Sequence, residues 1–429
     1  GAEQSHTTAM EWYLKAAAQG HIHATFNIGV HYEDGCGVEK SHSIALEWWR
    51  KAAELGDPKA QFNVANAYSK ERDAETAFAW YNKAAAQGHT GAQFNVGTML
   101  DTGTGVSQCY ATAAQCYYAA ASQGHPKAQH NLGALYDKGR GVKQSHETAL
   151  QCWHIAASQG VAAAQCDIGL SYARGEGVEK NATSAMTWWL KAAAQGYTDA
   201  EVNIGVAYLR GEGVQQSYPS AVEWLSKAAA KGSADAQTQM GILFQRGEGV
   251  GQDLERAAQC FQAAASQGHA YAQYCLGCLY DSGEGVEQSY ATAIEWWRKA
   301  AAQGLPAAQQ DIGVCYATGE GVELSYETAM EYWQKAAAQG YADAELSIGV
   351  AYRNGEGVEQ DHATAVAWIR KAADKDNADA QALLGLMYQQ GEGVEVDLAS
   401  ALEWCDKAAA LGNVMAQHNA LVLRNRLSE

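Results

Sequence analysis

Apolar residues recur along the chain at helical spacing, and the recurrence restarts after short glycine-containing breaks. The stretch His269–Gly304, HAYAQYCLGCLYDSGEGVEQSYATAIEWWRKAAAQG, shows the pattern. Ala272, Leu276, Leu279 and Tyr280 share one helical face, which predicts a first helix over roughly 270–281. In three other copies Pro58, Pro126 and Pro306 stand at its opening position, where a missing N–H costs nothing. Ala293, Trp296, Trp297 and Ala300 predict a second helix. It opens on Ser289, or on Asp361 or Asp397 in later copies, whose side chains can accept from free first-turn N–H groups. Lys299 suits the negative end of that helix, and Gly304 suits a left-handed cap. One or two residues link it to the next helix, so successive helices are expected to be antiparallel neighbours.

The closing glycine sets the period. Gly20, Gly56, Gly88, Gly124, Gly160, Gly196, Gly232, Gly268, Gly304, Gly340 and Gly412 stand 36 residues apart, except for a 32-residue step at Gly56–Gly88 and Asp376 in one vacant place. Such a period predicts a stacked array of helix pairs, so function is to be sought on a surface. The expected organisation is a single domain over 1–429: a lone second helix over 1–20, eleven helix pairs over 21–412, and a partial repeat or cap over 413–429. Residues 1–5 align with Gly285–Ser289, so the chain is expected to begin inside a longer array. Gly277 recurs mid-helix, where glycine costs about 1 kcal/mol against alanine, which implies a neighbouring helix too close for a Cβ. All 13 tryptophans fall in two adjacent columns of the second helix, as packing between repeats would require.

Charge narrows the partners. The formal net charge is −18, from 48 acids against 30 bases, which disfavours nucleic acid and would steer a basic protein or peptide toward the chain. No apolar run is long enough to predict direct membrane insertion. Ten cysteines share no register position. Cys116, Cys152 and Cys260 replace one tryptophan column and Cys405 the other, as small core residues would. Their scatter suits a reducing, cytoplasmic setting, while a secretory or periplasmic one stays open because an upstream segment is out of view. Cys275-Leu-Gly-Cys278 lacks a second pair for zinc, and the Gly-Glu-Gly-Val loops lack the Lys-Ser/Thr ending of a phosphate cradle. The histidines sit at turns and helix starts, so neither a cofactor nor a metal is implied.

The pattern A-x-x-x-[IL]-G-x-x-Y-x-x-G-x-G-V, followed by A-x-x-W-[WY]-x-K-A-A-x-x-G, resembles the Sel-one-like repeat, a relative of the tetratricopeptide repeat. The resemblance implies an all-α, right-handed α/α superhelix (solenoid) of about eleven repeats, first helices on the concave side. It also implies an adaptor or scaffold that holds other proteins. Two departures stand out. The second unit reads Tyr68-Ser-Lys-Glu-Arg-Asp-Ala-Glu-Thr-Ala77 where others carry the glycine loop, which predicts a tighter turn. The cysteine-rich branch of the family bridges two positions that are Ala301 and Gln309 here, or Ala85 and Gln93, so the hydrolase activity of that branch loses support.

By analogy with the tetratricopeptide groove, the partner-binding candidates are Phe26, Phe62, Phe94, His130 and Tyr274, with Asn27, Asn63, Asn95 and Asn131 beside them and Glu33, Asp101 and Asp137 on the rim. Asparagine amides at a regular rise could hold a peptide backbone while aromatic faces take its side chains, or each could tie its own repeat together. The loop acids Glu176, Glu212, Glu248, Glu284, Glu320, Glu356 and Glu392 are expected to form an acidic edge, either a solvated face or a surface for a lysine-rich partner. The leading expectation is a non-enzymatic scaffold for a protein or peptide. A hydrolase and an architectural subunit of a large assembly are the alternatives.

Overall fold

The computed structural model describes residues 6–428. Among these there are 24 helices and no strand, and they fall into two compact units, Gly1–Gln216 and Ser217–Glu429. The alignment proposed for residues 1–5 lies outside the described residues. Within each unit, first and second helices alternate and stack as an α/α solenoid.

The representative repeat shows why these residues form these helices. Its first helix runs Ala270–Ser282 and its second Tyr290–Ala302. Ser289 Oγ accepts from the Thr292 N–H at 3.2 Å, so the second helix starts where the cap predicts. The first helix ends at Gly283 with a φ of 74°. Where the 36-residue rhythm breaks, other residues take the strained backbone. Arg72 (φ 65°) turns the shortened second repeat, and Asp376 (φ 60°) stands in the vacant glycine place.

Packing is built on alanine. Ala272, Leu276 and Leu279 bury themselves against Ala257, Ala258, Phe261 and Ala264 of the preceding second helix. The two tryptophan columns have different roles. Trp297 is buried, donates from Nε1 to the Tyr274 carbonyl at 3.2 Å, and fills the space that a Cβ on Gly277 would need, 2.4 Å away. The close neighbour that demands glycine is therefore an indole ring of the same repeat rather than helix backbone. Trp296, in the other column, is half-exposed and packs on the core of the repeat before it, with the Lys299 ammonium 3.6 Å above its ring.

A polar thread runs beside the apolar one. Buried Gln273 donates to the Ala265 carbonyl at the end of the preceding second helix (3.1 Å) and accepts from Gln303 of its own repeat (2.9 Å). The carbonyl would otherwise be an orphan of the helix terminus. Gln309 meets the Ala301 carbonyl and Gln93 the Ala85 carbonyl, each at 3.3 Å. A hydrogen bond thus joins the positions at which the cysteine-rich pattern would place a bridge. All ten cysteines are free.

Candidate functional site

In the first unit the groove candidates are mostly braced by their own fold. Phe26 packs on the cluster around Trp49. Phe62 stacks on His89 and Phe94 on His125, with ring centroids 4.6 and 4.5 Å apart. Each histidine also caps the next first helix through Nδ1, accepting from Ala92 N at 3.2 Å and from Ala128 N at 3.1 Å. Burial pushes both imidazoles below their ordinary range. Asn27 and Asn63 are half-buried. Tyr81 Oη donates to Asn66 of its own repeat at 2.5 Å, and Asn95 and Asn131 of the following repeats stand near Tyr81 and Tyr117, where they partly offset the rise that burial gives those phenols. Asp101 accepts from Tyr117 Oη at 3.2 Å, and Glu33 from His42 Nδ1 at 2.7 Å.

The phenylalanine series ends at position 130, and there the surface opens. His130 stands in the phenylalanine register, but the turn residue that would stack on it is Val161, so its ring turns to Asp167 (Nε2 to Oδ2, 2.7 Å). A recess of about 270 Å³ lies there, between the helices Pro126–Lys138 and Ala162–Arg174. Its wall carries His130, Asp137, Asp167 and Glu176, with Lys138, Arg174 and Tyr197 around them. Burial, then the charge of Asp199, pushes the Tyr197 phenol up. The recess thus brings together three residues named from sequence, His130, Asp137 and Glu176. Asp167 and Tyr197 were not singled out, and His146, whose Nδ1 lies 2.9 Å from Asp137 Oδ1 beside the recess, was read from sequence only as a helix-start histidine with no metal role. The available signals were an aspartate in the asparagine register and a histidine just after a cap serine.

The loop acids do not behave alike. Arg174 approaches Glu176 at 3.7 Å and Arg210 approaches Glu212 at 3.9 Å. Arg353 forks onto Glu392 at 2.7 and 3.2 Å. Glu284 and Glu320 are exposed, and Glu248 and Glu356 are half-exposed. Tyr274 belongs to the second unit, where its phenol lies near Asp311. Burial pushes that carboxyl up to about 6, against the lowering effect of the phenol.

Cys275-x-x-Cys278 is a poor nucleophile or metal pair, since desolvation of these half-buried thiols pushes them up to about 12 and about 11. Among the described residues no helix is long and apolar enough to cross a membrane.

Comparison with known proteins agrees with the geometry. The model of the family described as Sel1 repeat matches residues 1–21, 22–57, 58–89, 90–125, 126–161, 162–197, 198–233, 234–269, 270–305, 306–341, 342–377 and 378–413. The chain is similar to c5321, a protective antigen of uropathogenic Escherichia coli strains with an SLR fold. Identity is 32%, the TM-score is 0.72, and the match covers 97% of this chain and 90% of that one. It is also similar to a Sel1 repeat protein from Oxalobacter formigenes, at 34% identity and a TM-score of 0.53, covering 72% and 89% of the two chains. No curated protein matches. Repeat solenoids of this kind are generally protein-interaction scaffolds. The repeated helix pair, its glycine loops and these matches together establish that the chain belongs to the Sel1 repeat family.

Proposed function

We propose that the chain is a non-enzymatic scaffold that holds a protein or peptide on the first-helix face of its first unit, with a basic side chain of the partner seated against Asp167. The observation that carries this reading is the change at position 130. Phe62 and Phe94 are covered by histidine rings, whereas His130 leaves an open recess walled by three carboxylates. A half-buried carboxylate already positioned by an imidazole is prepared to receive a lysine or guanidinium group without further ordering. The chain's −18 charge would favour the encounter with such a partner. The half-buried Asn95 and Asn131 flank the recess on the same face.

The test is affinity capture from native extract, identification of the partner, and titration of the purified pair. Asp167→Asn keeps an oxygen for His130 but removes the charge. It should weaken binding about tenfold, with the salt dependence of the wild-type complex reduced. Equal affinity and equal salt dependence for wild type and variant would remove Asp167 from the interface.

A further inference from the structure

At each junction whose following repeat keeps the glycine loop, three register positions meet. They are the residue in the last turn of a first helix, the first residue of the following second helix, and the loop residue after the next repeat's capping glycine. The meeting is forced by the second loop glycine. Gly177 lies so close to the start of the helix His146–Ser158 that a Cβ on it would stand 2.5 Å from the His146 carbonyl carbon. The loop is thereby pressed onto that helix start, and Glu176 with it.

The array supplies its own controls. One junction carries Asp101, Tyr110 and Arg140, with the guanidinium 5.5 Å from the tyrosine ring centroid. Another carries Arg353, His362 and Glu392, where the guanidinium grips the carboxylate at 2.7 Å and the buried His362 Nδ1 has no hydrogen-bond partner. Both junctions hold a cation that belongs to the chain. The junction of Asp137, His146 and Glu176 holds instead two carboxylates and an imidazole. One donor atom from each lies within 4.8 Å of the others, and all three residues are half-buried. The chain cation paired with Glu176, Arg174, is more than half exposed and 3.7 Å away, too solvated to replace an ion held between the two acids.

We propose that Asp137, His146 and Glu176 form a site for a divalent transition metal of the zinc class, bound by one imidazole nitrogen and two carboxylate oxygens, with water completing the shell. Borderline ions favour this mixed nitrogen and oxygen set. Donors around such an ion stand about 3.3 Å apart, and rotation of the flexible Glu176 side chain closes the remaining gap. The ring is already aimed, because Nδ1 faces Asp137 at 2.9 Å while Nε2 lies 3.5 Å from the Gln144 amide. The Gln144 atom there is the amide nitrogen, which also donates to the Asp137 carbonyl at 2.8 Å, so a metal at Nδ1 would take the place of the proton that Nδ1 can share with the Asp137 carboxylate. Asp137 and Glu176 also wall the recess of the scaffold reading, but metal binding is measured on the chain alone and partner binding through Asp167, so the two can fail separately.

A fourth junction makes the test two-sided. Asp281, Tyr290 and Glu320 repeat the two acids in the second unit, with Gln288 bonded to the tyrosine hydroxyl at 3.2 Å, but the imidazole is replaced. Calorimetric titration of the full chain with Zn²⁺, and with Co²⁺ followed by visible absorption, should find this site in the wild type. His146→Ala and Glu176→Gln should each weaken it by at least about tenfold with helical circular dichroism unchanged. Tyr290→His should add one further equivalent. Undiminished affinity in His146→Ala would overturn the site, because the ion would then be held elsewhere, for example on thiols. Failure of Tyr290→His to add an equivalent would overturn the register argument beneath it.

Discussion

His89 and His125 cap one helix and cover a phenylalanine at once, and both tasks need the neutral ring. Nδ1 accepts an N–H, which a protonated imidazole cannot do, and burial opposes the charge. In the unfolded chain these groups titrate near 6.5, whereas in the fold they titrate lower. Their stabilisation is therefore complete above about pH 6.5 and is lost as pH falls through the folded value. Asparagine does the same capping in a later repeat, where Asn377 Oδ1 accepts from Ala380 N at 2.9 Å. The double variant His89→Asn, His125→Asn should accordingly show a thermal midpoint that depends less on pH between about 7 and 5.5 than wild type, whatever its absolute value. Melts that fall in parallel would clear these two residues of the acid sensitivity. The cap position was legible in the sequence, since each histidine directly precedes a helix start. The stack on Phe62 was not, because it spans from one repeat to the next.

Among elements, the glycine loop does more than end a helix. Gly160 and Gly177 both have a positive φ, 86° and 71°, so alanine at either meets the backbone penalty of about 1 kcal/mol. Only at Gly177 would the new methyl also strike backbone, that of His146, while nothing lies within 4 Å at Gly160. Gly177→Ala should therefore destabilise the chain by about 2 kcal/mol more than Gly160→Ala in urea unfolding. Equal costs would mean that the loop can lift away from the helix without penalty. Helix ends, caps and the tight turn of the shortened repeat were readable because each depends on residues only a few places apart. That the mid-helix glycine makes room for a tryptophan, and that the two tryptophan columns divide into a buried and a lysine-covered set, depends on how paired helices face each other. Adjacent residues of identical type carry no sign of that difference.

For the whole chain, the −18 charge is the dominant electrostatic fact, and most ion pairs that offset it are at least partly exposed and so worth little. Raising ionic strength from about 0.01 M to about 0.15 M should raise the melting temperature by screening self-repulsion. A fall would show that paired charges such as Arg353–Glu392 and Lys375–Glu345 outweigh the excess. The sequence by itself determined the period, the helix pair, the alanine core and the family, because these rest on spacings within one repeat. Only the tertiary structure decided which side chains share a site. His130 with Asp167 and Asp137 with Glu176 stand 37 and 39 residues apart, and they meet because one repeat is laid on the next. Stacking converts distance along the chain into contact across a junction, and no local pattern records what will lie opposite.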